Sequence, residues 1–139
     1  DNNNHEYFAH KYNVSNNIKN NLNLLAENLK LIKKNKDFFN KDLEKNVYLN
    51  NKNHLINLNI LNFVINTNYK LKDFLETIRK ILNSKTYELP VDGKYLMDNG
   101  MKQGALIGKV LENIEEEWIR NNFKITKDQI LQAIKLHSN

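Results

Sequence analysis

The chain has 139 residues, no cysteine and a formal net charge of +5. This length is enough to bury a core without disulfides or metal, and the missing cysteines exclude disulfides, thiolate zinc sites and a cysteine nucleophile. No apolar run approaches the roughly 20 residues that cross a membrane, so the composition favours a reducing, cytoplasmic location and no membrane partner.

The first predicted elements are a short segment at residues 7–12 and a long helix that Ser15 caps. Apolar residues at steps of three and four mark one face of this helix and of the helix that follows it. They are Ile18, Leu22, Leu25, Leu29 and Ile32 in the first helix, and Phe38, Phe39, Leu43 and Val47 in the second.

The most apolar run, residues 55–65, fits either a buried helix or a strand. We favour a helix, because no second strand-like run is present to pair with it. The next helix has an apolar stripe and ends at residues 83–85, and residues 87–91 then run extended around Pro90. The stripe of this helix consists of Leu71, Phe74, Leu75, Ile78, Ile81 and Leu82.

Sequence signals also define the elements after this break. A short helix starts at Val91 or Asp92, and a second helix carries an apolar stripe that ends at Trp118. Thr126 and Gln129 form a capping box for a final helix. The apolar signals around that helix are a staple of Ile125 and Ile130 and a face of Ile130, Leu131, Ile134 and Leu136. The predicted fold is all-α, with a helical bundle body at residues 1–84 and a tail at residues 85–139 that contains a helical hairpin and the final helix.

All four glycines lie in the predicted hairpin. Gly100 follows the short helix where a left-handed residue ends a helix. Gly104 lies at the start of the second helix and Gly108 one turn inside it, where glycine costs about 0.5–1 kcal/mol relative to alanine. Two interpretations stay open. Another helix packs closely at Gly108, or a phosphate binds the bare N–H groups and positive dipole of the helix start, with Lys102 and Lys109 adding charge.

Charge is distributed unevenly along the chain. Residues 1–84 carry 13 Lys and Arg against 8 Asp and Glu, whereas residues 85–139 carry 8 of each kind. Lys30, Lys33 and Lys34 are neighbours on one helix face, as a patch that tracks a phosphate backbone would be. A solvated, lysine-rich surface explains the same pattern, so charge alone leaves a nucleic acid partner and a purely structural role open.

Other candidate sites have weaker support. Residues 115–117 are three glutamates that point in different directions around a helix, which indicates a solvated face and not a ligand set. The four histidines show no metal spacing, and no serine is flanked by glycine as in a serine triad. Trp118 fits a core anchor better than a base-stacking platform. The residues therefore predict no catalytic group, no metal site and no cofactor in this chain.

One pattern of spaced residues resembles a known family. It is Leu89-Pro90-Val91-x-Gly93-x-x-Leu96-x-x-x-Gly100-x-x-x-Gly104-x-x-Ile107-Gly108-x-x-Leu111, followed by Glu116-Glu117-Trp118. It resembles the C-terminal region of class II CCA-adding tRNA nucleotidyltransferases and bacterial poly(A) polymerases. The pattern covers about 30 residues, and the preceding helices resemble the helical body of that family more weakly. Leu89 departs from the aromatic residue usual in the family. Ala105 replaces a frequent proline, which would soften the helix start.

The resemblance implies that this chain is the body and tail of such an enzyme, which grip tRNA or another RNA at the acceptor stem and elbow. In that family an N-terminal catalytic head, with Mg²⁺ and the substrates CTP and ATP, adds nucleotides to the RNA 3′ end. The signature of the head is a Gly-Ser or Gly-Gly turn followed by Asp-x-Asp, and it is absent here, as is the Glu-Asp…Arg element of the neck. Since an initiator methionine is also missing, we expect a piece of a longer protein that cannot transfer nucleotides alone.

The predicted site residues fall into three groups. The predicted phosphate contacts are Met101, Lys102, Gln103, Gly104, Ala105 and Lys109, with Lys30, Lys33 and Lys34 as a second set. The predicted turn residues are Pro90, Gly93, Gly100 and Gly108, and the core anchor is Trp118. Two other function classes remain open: a helix-hairpin-helix module that binds duplex DNA of any sequence, and a helical domain that binds an acidic protein.

Overall fold

The computed structural model describes residues 16–137, except for the side chains of residues 16–19 and 21. The predicted segment at residues 7–12, the Ser15 cap and the Ile18 side chain lie outside this description. Within it the chain forms helices and no strands, so the predicted all-α class is confirmed. The helices are α1 Asn16–Lys34, α2 Leu43–Asn50, α3 Lys52–Ile65, α4 Leu71–Asn83, α5 Gly93–Asp98, α6 Ala105–Arg120 and α7 Lys127–His137.

Contacts between Cα atoms divide the chain into two compact units. The N-terminal unit ends at Thr86 and contains α1 to α4, and the C-terminal unit begins at Tyr87 and contains α5 to α7. Each unit has a hydrophobic cluster of its own.

Helix α3 is the central helix of the N-terminal unit and packs against α1, α2 and α4. Its residues Leu55 and Leu58 are fully buried, and Ile81 of α4 is buried with them. The apolar run extends beyond this buried face, since Val64 is 71% exposed. Residues 55–65 are helical throughout, so the helix predicted for this run is confirmed.

A polar network inside the N-terminal unit joins the α3–α4 connection to both helices. The hydroxyl of Tyr69 donates to Oδ1 of Asn59 at 2.6 Å and lies 3.1 Å from Oγ1 of Thr77. Nδ2 of the fully buried Asn59 donates in turn to the carbonyl oxygen of Phe74 at 3.2 Å. Burial raises the pKa of Tyr69, so its hydroxyl keeps its proton and remains a donor.

In the C-terminal unit, α6 packs against both α5 and α7. The predicted capping box is present: Thr126 N–H donates to Oε1 of Gln129 at 2.9 Å, and Gln129 N–H donates to Oγ1 of Thr126 at 3.1 Å. Only part of the predicted apolar face of α7 is covered. Ile130 and Ile134 are buried, whereas Leu136 is 80% exposed.

Helix α5 begins and ends with local hydrogen bonds that its sequence specifies. Asp92 caps the start, because its Oδ1 accepts from Tyr95 N–H at 2.9 Å. At the end, Gly100 has φ +104°, and its N–H donates to Met97 while Met101 N–H donates to Leu96. These two bonds form a Schellman motif. The motif turns the chain toward α6. The left-handed conformation predicted for Gly100 is therefore confirmed.

A second Schellman motif, which we did not predict, ends α6 without glycine. Asn122 and Phe123 have φ +58° and +63°, and their N–H groups donate to Ile119 and Trp118. A bulky residue rarely adopts this conformation. Burial of the Phe123 ring offsets the strain, since the ring stacks 4.0 Å from Tyr87 and lies 4.9 Å from Trp118.

Replacing Gly100 by alanine is expected to lower the free energy of unfolding of the C-terminal unit by about 1–2 kcal/mol, because an L-residue is strained at positive φ. Gly108→Ala provides the matched control. Gly108 lies inside α6 with open space around it, so alanine should stabilise the helix by about 0.5–1 kcal/mol. Urea unfolding, followed by the fluorescence of the single tryptophan, measures both changes. Equal effects of the two variants would contradict this account.

Candidate functional site

The start of α6 is exposed and carries no side-chain cap. Gly104 precedes the helix with φ +157° and ψ −172°, a conformation that is essentially restricted to glycine. Lys102, Gln103 and Ala105 are exposed beside it. The N–H groups and positive dipole end of this helix therefore face solvent next to a lysine, which is a chemical environment that favours an anion.

Met101 does not fit the contact predicted for it. Its side chain is only 7% exposed and packs in the core of the C-terminal unit. Its N–H is also occupied, since it donates to the carbonyl oxygen of Leu96 at 3.0 Å in the Schellman motif. Met101 thus anchors the turn, and the exposed groups available to a ligand begin at Lys102.

A cleft of about 190 Å³ opens beside the start of α6. His137 and Leu106 line it, and we did not predict either residue as part of a site. The amide of Asn113 donates to Nε2 of His137 at 3.2 Å, which fixes the ring against α6. No local signal marks His137, because only the packing of α7 against α6 brings it to residues 100–102. The lining residues are Gly100, Met101, Lys102, Leu106 and His137.

The other two glycines lie within helices. Gly108 lies inside α6, one turn from its start as expected. No described atom outside the helix lies within 4 Å of a Cβ built there, so close helix packing does not explain it. Close packing occurs instead at Gly93, the first residue of α5, where a Cβ would lie 3.4 Å from Cγ2 of Ile107. Pro90 is exposed in the segment that precedes α5, and Lys109 is exposed on α6.

Trp118 lies in the core of the C-terminal unit. It is 3% exposed, and its ring makes edge contacts with Tyr87 at 6.4 Å and with Phe123 at 4.9 Å. An indole enclosed in this way cannot stack on a base from solvent.

Lys30, Lys33 and Lys34 lie in the last two turns of α1 in the N-terminal unit, and all three are exposed. Lys33 and Lys34 occupy the last turn, where a positive charge also stabilises the helix dipole. The structure therefore divides the predicted phosphate contacts between two units, with the three lysines in one unit and residues 101–105 and Lys109 in the other.

His54 and Asn28 form a polar pair between α3 and α1. Nδ2 of Asn28 lies 2.7 Å from Nε2 of His54, and Asn28 is only 6% exposed. Because the amide nitrogen is a donor, this ring nitrogen accepts and the imidazole is neutral. Burial lowers the pKa of His54 from its ordinary value of 6.5, which agrees with a neutral ring.

We expect the stability of the N-terminal unit to fall as the pH drops below about 6.5. In that range the unfolded chain protonates His54 while the folded chain keeps the ring neutral, so the unfolded state binds more protons. Urea unfolding followed by circular dichroism at about pH 7.5 and about pH 5.5 measures the change. In His54→Gln the amide oxygen can accept from Asn28 without titrating, so the pH dependence should shrink. An unchanged dependence would assign it to other groups.

Residues 16–137 contain no group of three or more His, Asp and Glu residues that could hold a metal ion. An Asp-x-Glu spacing does occur at Asp42 and Glu44. Oδ2 of Asp42 accepts from the amide of Asn35 at 3.1 Å, and the residue between the two acids is the buried Leu43. These residues do not fit a site for two Mg²⁺ ions. None of the helices in the described part is long and apolar enough to cross a membrane.

Comparison with known proteins gives one informative similarity. No protein-family model matches the chain, and no solved structure matches it significantly. The chain is similar to the CCA-adding enzyme of Latilactobacillus sakei subsp. sakei (strain 23K), with 27% identity over 81 residues. The matched residues are 58% of this chain and 20% of that enzyme, so the match spans about a fifth of the length of the curated relative. This similarity supports a likeness to CCA-adding enzymes at the level of the family.

Proposed function

We propose that this chain is the RNA-binding C-terminal part of a CCA-adding tRNA nucleotidyltransferase or of a related poly(A) polymerase. It grips the acceptor stem and elbow of tRNA in the cytoplasm, while a catalytic head outside this chain adds nucleotides to the 3′ end. The observation that carries the proposal is the 81-residue similarity to a CCA-adding enzyme. In this proposal Mg²⁺ and the substrates CTP and ATP bind to the head.

The C-terminal unit contributes the first proposed contact with RNA. Backbone N–H groups at residues 104–105 and the side chains of Lys102 and Lys109 would bind phosphates, with Gln103 as a neutral donor. Proteins recognise A-form RNA mainly by its shape and backbone. Such contacts suit a protein that accepts tRNAs of every sequence, since phosphate contacts carry no sequence information.

The N-terminal unit contributes the second proposed contact, through Lys30, Lys33 and Lys34 at the end of α1. This unit also carries the excess positive charge of the chain, since residues 1–84 have 13 Lys and Arg against 8 Asp and Glu. A surface of this kind increases affinity and the rate of association with a polyanion.

A binding experiment with three nucleic acids tests the proposed function. The chain is titrated with a tRNA that lacks its 3′ CCA, with an unrelated RNA hairpin and with a DNA duplex of equal length, across a salt series. Preference for tRNA at about 0.15 M salt, with a slope that indicates several phosphate contacts, would support the proposal. Equal binding to the DNA duplex would favour a helix-hairpin-helix module. Absence of binding to all three would favour a protein-interaction domain.

Lys102→Glu is expected to weaken tRNA binding about five-fold or more at about 0.15 M salt, since one lost phosphate contact removes about 0.9 from the salt slope. Lys124→Glu is the matched control. Lys124 is exposed beyond the C-terminal end of α6, and the 16 residues of this helix span about 24 Å. The Lys124→Glu substitution changes the net charge by the same amount as Lys102→Glu. Circular dichroism should show intact helices in both variants. Unchanged tRNA affinity in Lys102→Glu would remove the hairpin from the interface.

A further inference from the structure

Helix α4 exposes a row of leucines that the N-terminal unit does not cover. Leu71, Leu75 and Leu82 are 57%, 53% and 55% exposed. They lie on one face of the helix at spacings of four and seven residues, and we refer to these three residues as the leucine ridge. Ile81 of the same helix is fully buried against the core. The apolar stripe of α4 is therefore wider than the surface that its neighbouring helices cover.

Single exposed leucines are common on protein surfaces, but a contiguous apolar row on one helix indicates an interaction surface. The leucine ridge extends from residue 71 to residue 82, which is about 16 Å along the helix axis. A partner helix of about three turns would cover this length. A stable dimer of two folded copies usually buries about 800 Å² on each partner, and three half-exposed leucines provide much less than that area.

The rim beside the leucine ridge is cationic. Lys72 and Arg79 are exposed and lie three or four residues from ridge leucines, so they are direct surface neighbours of them. Neither cation forms an ion pair or hydrogen bond with another residue in the described part of the chain. Glu76 is a helical neighbour of both cations, but it lies on their side away from the leucines. The charge closest to the leucines is therefore positive.

We propose that the leucine ridge binds a short amphipathic helix of a partner protein, with an apolar face against the leucines and acidic residues against Lys72 and Arg79. Helices commonly dock in this way, with apolar anchors at helical spacing and charges at the edges that set specificity. A nucleic acid is a poorer match for this face, because its backbone offers no apolar surface for the leucines. This inference is independent of the proposed RNA contacts.

A pair of designed peptides tests the proposal on the full chain. The first peptide is an amphipathic helix of about 18 residues with leucines on one face and glutamates beside them. The second is identical except that lysines replace the glutamates. Isothermal titration calorimetry should detect binding of the acidic peptide and a clear loss of affinity for the basic one. Binding of neither peptide, or equal binding of both, would overturn the proposal.

Variants of the protein complete the test. Leu75→Ser combined with Leu82→Ser should weaken binding of the acidic peptide about ten-fold or more, because two leucines lose apolar contact. Lys72→Glu combined with Arg79→Glu should also weaken it. Leu49→Ser, at a leucine of α2 that is 62% exposed, should leave it unchanged. Two results in the leucine variant, with its helices intact, would overturn the proposal. A loss of tRNA affinity would assign the leucine ridge to RNA binding, and dissociation of a dimer would assign it to a second copy of the chain.

Discussion

Replacing Leu96 by alanine is expected to lower the free energy of unfolding of the C-terminal unit by about 2–5 kcal/mol, the usual cost of a buried leucine-to-alanine substitution that leaves a cavity. Leu96 is fully buried and its carbonyl oxygen accepts the Met101 N–H that closes the Schellman motif. The side chains of these two residues belong to the same core cluster. The substitution therefore removes core contacts at the point where the chain turns toward α6.

The fluorescence of Trp118 measures this effect selectively, since it is the only tryptophan and lies in the C-terminal unit. Met97→Ala is the control, because Met97 is the adjacent residue of α5 and is 40% exposed. It should change stability by no more than about 0.5 kcal/mol, as surface substitutions do. Similar urea midpoints for the two variants would show that α5 does not anchor the core of this unit.

Combining Lys33→Glu with Lys34→Glu is expected to weaken tRNA binding on the order of 30-fold at about 0.15 M salt. If both lysines contact phosphates, their loss reduces the salt slope by about 1.8, since each contact contributes about 0.9. Both side chains are exposed in the last turn of α1. Filter binding or fluorescence anisotropy across a salt series gives the affinity and the slope together.

Two further variants separate lost contacts from other causes. Lys70→Glu with Lys72→Glu makes the same change in net charge at the start of α4 and should have a much smaller effect. Lys33→Gln with Lys34→Gln removes the two charges without the destabilising negative charge at a helix C-terminus, and it should still reduce the slope. A full loss of affinity in the α4 variant would indicate that net charge, and not the end of α1, governs binding.

Local sequence rules predicted most of the helical elements, because a helix depends largely on neighbouring residues. The second predicted helix is shorter than expected, since Phe38 and Phe39 lie in turns before α2. The capping box of Thr126 and Gln129 and the left-handed Gly100 are bonds within a few residues, so sequence spacing is sufficient to define them. The Schellman motif at Asn122 was missed, because asparagine is a weaker signal than glycine for a left-handed residue. Its stability depends on ring contacts of Phe123 that only the folded unit supplies.

The candidate site shows the same division between local and distant interactions. The position of the helix start after Gly104 follows from residues next to one another in the chain. Burial of Met101, open space around Gly108 and the position of His137 do not, since each depends on how α5 and α7 pack against α6. Local sequence therefore places the start of α6, whereas the burial of Met101 depends on packing within the C-terminal unit.

By itself, the sequence determined the helical class, the helix ends that carry a capping or glycine signal, and the concentration of positive charge in residues 1–84, because periodicity, capping and charge are properties of local sequence. Only the tertiary structure decided which parts of each apolar stripe are covered. Leu71 and Ile81 belong to one stripe of α4, yet one is 57% exposed and the other fully buried. Hydrophobic burial depends on which neighbouring helices are present and how wide they are, and a stripe in the sequence does not contain that information.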